Sequence, residues 1–175
     1  MRQFIPVLCV LASTVYALDS GAQPGQGSPS AREYCKVEVH HVGDTMPAGS
    51  YQGQCLEGRP DGKGEVIFNN GDRLQGEFKK GLVDGTGTWI SGSSGNRYSG
   101  SWRGGRREGE GTYSWSNGAQ QYVGEWVEDK RQGRGVFTWA NGDRFEGEFR
   151  NNRQYNGTYT SADGRVHTCY MGLCR

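Results

Sequence analysis

Long apolar runs are almost absent from this chain, and hydrophobic residues account for only 33% of its 175 positions. After the N-terminal stretch, nothing approaches the ~20 consecutive apolar residues that a helix needs to cross a bilayer. An excess of charge of either sign is also missing, with 20 Lys and Arg against 19 Asp and Glu. A nucleic-acid binder would carry a strongly basic domain, so no nucleic-acid partner is expected. His40, His41, His167 and the cysteines form no Cys-x-x-Cys or His-x-x-x-His spacing, so no zinc site and no cofactor is indicated. The chain also lacks a Gly-x-Ser-x-Gly elbow, a P-loop and a dinucleotide fingerprint, and no enzyme is expected.

What is abundant is glycine, 30 residues set among 5 Trp, 9 Tyr and 6 Phe. A disordered chain would be poor in aromatics, so low hydrophobicity here implies a thin, ordered, repeating structure. The opening MRQFIPVLCVLASTVYA has a basic residue, a short apolar run and compact residues at its end, the pattern of a cleaved secretory signal over residues 1–17. Cys9 follows Leu8 where a lipoprotein site needs a small residue, and no lipidation is expected. Removing the signal removes Arg2 and leaves acids and bases balanced, 19 each. Residues 18–33, rich in Gly, Pro, Ser and Gln, read as a flexible leader.

An aromatic–glycine–aromatic pattern on alternate positions then recurs. It runs Tyr51-x-Gly53-x-Cys55, Leu74-x-Gly76-x-Phe78, Tyr98-x-Gly100-x-Trp102, Tyr122-x-Gly124-x-Trp126 and Phe145-x-Gly147-x-Phe149, at spacings of 23 or 24 residues. A Gly-x-Gly follows in each unit, reduced to Gly157 in the fifth. Period-two alternation puts Tyr122, Gly124 and Trp126 on one face of a strand, with Val123 and Glu125 on the other. Gly135, Phe137 and Trp139 repeat the device on the second strand, so two rows of rings share a face. Glycine between the rings lets a neighbouring ring lie flat across the backbone, which outweighs its entropic cost of ~0.5 to 1 kcal/mol. Parity favours three-residue turns at Asn69-Asn70-Gly71 and Ala140-Asn141-Gly142, the latter with Gly142 left-handed. The third and fourth units are one residue longer at this turn, which implies a bulge there.

These units resemble the MORN repeat family, over about residues 51–164. The departures are Cys55 and Leu74 in place of aromatics and the missing glycine of the fifth unit. The resemblance implies an all-β fold: an elongated, twisted, single-layer antiparallel sheet with a shallow aromatic groove. It also implies a protein or membrane-surface binding role.

The four remaining cysteines are an even number in a chain with an export signal, which points to disulfides. A hairpin folded about Thr45 places Cys35 opposite Cys55, Val37 opposite Gly53 and Val39 opposite Tyr51. Residues 34–50 would then add a capping strand over the first repeat. At the other end a turn at Ala162-Asp163-Gly164 puts Cys169 opposite Gly157, and Cys169–Cys174 would lock residues 165–175. Bridges joining the two ends would instead require the sheet to curl closed.

Two surfaces are candidates for binding. The aromatic groove centres on Tyr98, Trp102, Tyr113, Trp115, Tyr122, Trp126, Phe137 and Trp139, and either holds a partner segment or packs on itself. The turns supply a basic edge of Lys79, Lys80, Arg103, Arg106, Arg107, Lys130, Arg131 and Arg134, suited to anionic headgroups. Asp61, Asp84, Glu108 and Asp129 interleave with it, as in an ordinary solvated edge. The carboxylates Glu146 and Glu148 share a face as a glycosidase pair would. Glu77 and Glu125 repeat the position of Glu148, however, so these read as a solvated row. Asn156-Gly157-Thr158 is a glycosylation sequon relevant only in a eukaryotic host. The expected function is that of a non-enzymatic exported scaffold, in a bacterial periplasm or envelope or outside the cell. Its expected partner is a protein or peptide, with an anionic membrane surface as the alternative and a homo-oligomer possible. N-terminal sequencing of the exported protein should begin at Leu18; an intact Met1 there would refute the signal.

Overall fold

The computed structural model describes residues 33–39 and 47–175. The signal expected over residues 1–17, residues 18–32 of the expected leader, His40, His41 and the hairpin tip expected about Thr45 lie outside the described residues. Those described form one open antiparallel sheet in which every strand pairs with its sequence neighbours. The strands are β1 (Glu33–Val39), β2 (Gly49–Leu56), β3 (Arg59–Phe68), β4 (Arg73–Lys79), β5 (Leu82–Ile90), β6 (Arg97–Arg103) and β7 (Arg106–Trp115). A single 3-10 turn, Ser116–Gly118, precedes β8 (Gln120–Val127), β9 (Lys130–Thr138), β10 (Arg144–Arg150), β11 (Arg153–Thr160), β12 (Val166–Tyr170) and β13 (Leu173–Cys174). The five repeated units supply β2 to β11, two strands each.

The register aligns the glycines into one continuous row across the sheet: Gly53, Gly64, Gly76, Gly87, Gly100, Gly111, Gly124, Gly135, Gly147 and Gly157. Cys35 faces Gly53 at one end and Cys169 faces Gly157 at the other. Rings fill the space the row leaves. A Cβ on Gly135 would lie 2.5 Å from the Tyr122 hydroxyl and 2.6 Å from its ring, and Tyr51 and Tyr98 cover Gly64 and Gly111 in the same way. In the second unit, where Leu74 replaces the aromatic, Trp102 lies against Gly87 instead. Gly124 is constrained differently from the expectation. Its Cβ would strike the carbonyl of Arg134 and the Cα of Gly135, both at 2.5 Å, with the Tyr122 hydroxyl at 2.8 Å. The ring therefore crosses the second-strand glycine, and the first-strand glycine permits close backbone approach.

The irregularities sit at the opposite hairpins from those expected. The loops at 92–95 and 116–119 are four residues long, and they join Trp89 to Tyr98 and Tyr113 to Tyr122 without a bulge. Residues directly opposite in an antiparallel pair share a face whatever the loop length, so no compensation is needed. The shorter turns are the three-residue loops expected, closed by Gly71→Phe68 and Gly142→Trp139 backbone bonds, with Gly71 and Gly142 left-handed at φ 86° and 90°. Bulges occur instead within each unit, just after the first-strand glycine. Between the Gly124–Gly135 and Trp126–Arg131 pairs, Glu125 alone faces Gln132, Gly133 and Arg134.

That bulge removes ladder partners, and the repeat residues supply replacements. The Tyr122 hydroxyl donates to the Glu125 carbonyl at 3.0 Å, while the Glu125 carboxylate accepts the Arg134 N–H at 2.7 Å. Tyr51 and Gln54 make the corresponding pair of bonds in the first unit, and Glu77 accepts from Thr86 in the second. Glu77 and Glu125 are thus bulge clamps rather than a solvated row. The left-handed glycine of each bulge, Gly62, Gly85, Gly109 or Gly133, has φ between 66° and 123°. The fifth unit's bulge is one residue shorter and contains no left-handed residue, so Tyr155 stands there without strain. This explains the glycine missing from its pattern.

Neighbouring units are latched along both edges. Asp61, Asp84, Glu108 and Gln132 accept the N–H of Lys80, Gly104, Glu128 and Asn151, each of which is a left-handed turn residue of the next unit. On the other edge Asp72, Asn96 and Asp143 accept from Gly92, Ser116 and Ala162. Asp129 accepts the Arg107 N–H as well, so all four acids expected to interleave as free charge are structural acceptors.

Cys35–Cys55 and Cys169–Cys174 are both bridged. The C-terminal register is the expected one. The N-terminal register is shifted by two residues, with Cys35 facing Gly53, Val37 facing Tyr51 and Val39 facing Gly49. The bridge to Cys55 therefore runs diagonally, and an even shift keeps the same residues on the ring face. Gly135→Ala and Gly124→Val should each destabilise the protein by about 1–3 kcal/mol through overpacking. Val123→Thr, on the exposed side, should stay within about 0.5 kcal/mol. Thermal melts compare the three, and unchanged glycine variants would refute the account of the glycine row.

Candidate binding groove

The rings form two tiers. Tyr98, Trp102, Tyr122, Trp126 and Phe137 are buried, and with Tyr51, Phe78, Phe145 and Phe149 they make a floor over the glycine row. Edge-on contacts join this floor, as in Tyr98–Trp126 at 5.4 Å and Tyr122–Phe149 at 4.8 Å between ring centres. The indole N–H of Trp102 and of Trp126 donates back to the carbonyl of Gly87 and of Gly111 in the preceding unit. These candidate groove residues therefore face inward and offer a partner little surface.

The half-buried second tier is what a partner would meet. It runs Trp89, Tyr113 and Trp115, then Trp139 and Tyr159, with the buried floor ring Phe137 joining Trp115 to Trp139 and successive ring centres 4.5 to 6.4 Å apart. Tyr113, Trp115 and Trp139 were expected there. Trp89 and Tyr159 were not, although the same alternation, Gly87-x-Trp89 and Gly157-x-Tyr159, places them on this face. The Tyr159 hydroxyl donates to Asp143, which raises the phenol pKa and lowers that of the carboxyl, each chiefly through this bond.

Two of the basic-edge candidates are built into the groove. The Arg107 guanidinium lies 4.5 Å from the Trp126 ring centre, with Tyr113 and Tyr98 at 5.6 and 5.7 Å. Its Nε bonds Asp129 Oδ1 at 2.9 Å and its Nη2 bonds the Asp129 carbonyl. Arg131 sits among Phe137, Tyr122, Trp115 and Phe149 and donates to the Asn152 carbonyl at 2.7 Å. Burial lowers its pKa. Both are thus cation–π pillars between tiers rather than an edge for anions. Arg106 approaches Glu128 at 3.9 Å. Lys79, Lys80, Arg103 and Lys130 are exposed beside the turns, and Arg134 is exposed at the bulge within β9. Asn156, the sequon residue, accepts the Met171 N–H and so holds the C-terminal turn.

The ring face opens into a cavity of about 350 Å³ between Phe68, Trp89, Trp102 and Tyr113, with Asn70, Asp72, Arg107 and Asp129 at its polar side. The other face carries a broader open depression of about 880 Å³ over Val123, Val136, Glu110 and Glu146. Such geometry suits stacking and hydrogen bonding.

Five tandem matches to the MORN repeat model cover residues 51–73, 75–95, 98–120, 122–144 and 145–164, in register with the five hairpins. The chain belongs to the MORN-repeat family. Repeats of this family are generally protein- or membrane-binding modules, typically without catalysis. The second MORN match begins just after Leu74, the one first position occupied by an aliphatic residue. Comparison with curated proteins returns no match.

Burial raises the Tyr98 and Tyr122 phenols and pushes Tyr51 up to about 12. An unfolded tyrosine titrates near 10. A folded pKa above the unfolded one means that this stabilisation is complete below about pH 10 and is lost as pH rises through the folded value. Denaturant midpoints should hold steady from pH 7 to about 9.5 and then fall steeply toward 12, in step with tyrosinate absorbance. A midpoint unchanged across that window would show that the tyrosine floor is not coupled to folding.

Proposed function

We propose that this MORN-repeat protein is an exported, non-enzymatic module that binds an extended protein segment along its aromatic groove. The observation that carries the reading is the row of half-buried rings Trp89, Tyr113, Trp115, Trp139 and Tyr159, made continuous by the buried Phe137 between Trp115 and Trp139. The floor beneath already covers the glycine row, so packing does not call for a second tier. Rigid, amphipathic rings give a partner large contact area at low entropic cost. Export is supported by the N-terminal signal pattern together with two disulfides, bonds that persist in oxidising compartments. The membrane alternative loses support because Arg107 and Arg131 point into the groove, leaving fewer cations for an anionic surface.

Peptides selected from a random library against the folded protein test the reading. Their affinity should fall tenfold or more, about 1.4 kcal/mol, when Trp115 and Trp139 are changed to Ala, with the β spectrum retained. Binders indifferent to both changes would overturn the groove. Salt-sensitive sedimentation with phosphatidylserine vesicles, abolished by Lys79→Glu with Lys80→Glu, would establish the membrane reading instead.

A further inference from the structure

The equivalent positions Val83, Arg107 and Arg131 each face the second aromatic of their own unit: Phe78, Trp102 and Trp126. Their backbones are held alike. The carbonyls of Val83, Arg107 and Arg131 accept the N–H of Gly105, Asp129 and Asn152 at 2.9, 3.2 and 3.0 Å. In the two later units the guanidinium fills a slot between rings and donates Nη2 to that same turn residue's carbonyl. The walls of the slot also repeat. Around Arg131 they are Trp115, Tyr122, Phe137 and Phe149, and one unit earlier around Arg107 they include Tyr98, Tyr113 and Trp126. One unit earlier again, at Val83, the equivalents are Phe68, Leu74, Trp89 and Trp102.

Three of those four, Phe68, Trp89 and Trp102, line the 350 Å³ cavity. Val83 is fully buried and carries no counterpart of the guanidinium that occupies the equivalent slot in the next two units. The polar side is anionic. Asp72 accepts the Gly92 N–H through Oδ1, and its Oδ2 takes no hydrogen bond from the described residues. Arg107 and Asp129 neutralise each other across 2.9 Å. Ring faces with one carboxylate that pairs with no cation among the described residues favour a cation, and a planar one stacks best.

We propose that this cavity is a guanidinium-binding site that receives an arginine side chain of a protein partner, as the chain's own arginines occupy the two slots that follow. This rests on the reading of the ring face as a partner-binding surface and assigns one anchor within it. In the first unit the equivalent position is Pro60, which faces Cys55 and not an aromatic ring.

A small-molecule titration tests the site without requiring a partner. Nα-acetyl-L-arginine amide should shift the Trp89 indole N–H resonance saturably, and the citrulline counterpart, equal in shape but neutral, should bind at least tenfold more weakly. Val83→Arg should fold normally and abolish the shift, since its guanidinium can reach the Gly105 carbonyl and fill the slot. Asp72→Asn, which keeps an acceptor for Gly92, should weaken binding about tenfold and serves if Val83→Arg misfolds. Equal binding of arginine and citrulline forms, or equal shifts at Trp115 and Trp139, would overturn the site. That result would leave the groove reading standing if library peptides still depend on Trp115 and Trp139. Loss of peptide dependence with retention of the arginine shift would do the reverse.

Discussion

Everything in this sheet depends on rings lying flat on backbone. A single layer has no second sheet or helix to cover it, so its apolar side must be closed by its own side chains, and that is possible only where the strands beneath present none. The row of ten glycines from Gly53 to Gly157 provides that bare strip. Tyr51, Tyr98, Tyr122 and Phe145 lie fully buried over it. Glycine is costly in a strand because it adds unfolded-state entropy. Here the cost is offset by ring burial that any Cβ would prevent.

The second constraint is polar. Bulges that turn the chain sharply within each unit leave carbonyls and N–H groups outside the ladder, and buried groups of this kind are costly if unmatched. The repeat resolves this with its own residues. The tyrosine that covers the glycine also donates to the bulge carbonyl, and the glutamate two residues before the next turn accepts the bulge N–H. In the fourth unit Tyr122, Gly124, Glu125 and Trp126 thus serve packing and hydrogen bonding together, and Tyr51 with Gln54 does the same in the first. No buried side-chain nitrogen or oxygen among the described residues is left without a partner.

Strand identity, facing and both disulfides were legible because period two and an even count of cysteines leave little freedom. The N-terminal register was not, since an even slip keeps Cys35, Val37 and Tyr51 on the same face and sequence alternation cannot detect it. The roles of Glu77, Glu125, Asp61, Asp84 and Glu108 were equally hidden. Their charge suggested solvent, whereas their work is to accept backbone N–H groups whose positions depend on bulge and turn geometry. In the groove, period two showed which rings share a face but not their height above the sheet. The buried floor of Tyr98 and Tyr122 therefore could not be told from the half-buried tier of Tyr113 and Trp115. Arg107 and Arg131 were read with the other turn cations because a basic residue beside a turn usually points outward; here aromatic faces draw it in.

The edge latches have a consequence for how such a molecule changes over generations. Each acceptor, from Asp61 to Gln132, is matched by a donor in the very next unit, and no latch reaches further. Duplicating or losing an internal unit would leave all latches paired, because the new neighbours carry the same groups. The length of the sheet can then change in steps of 23 or 24 residues with this edge still latched.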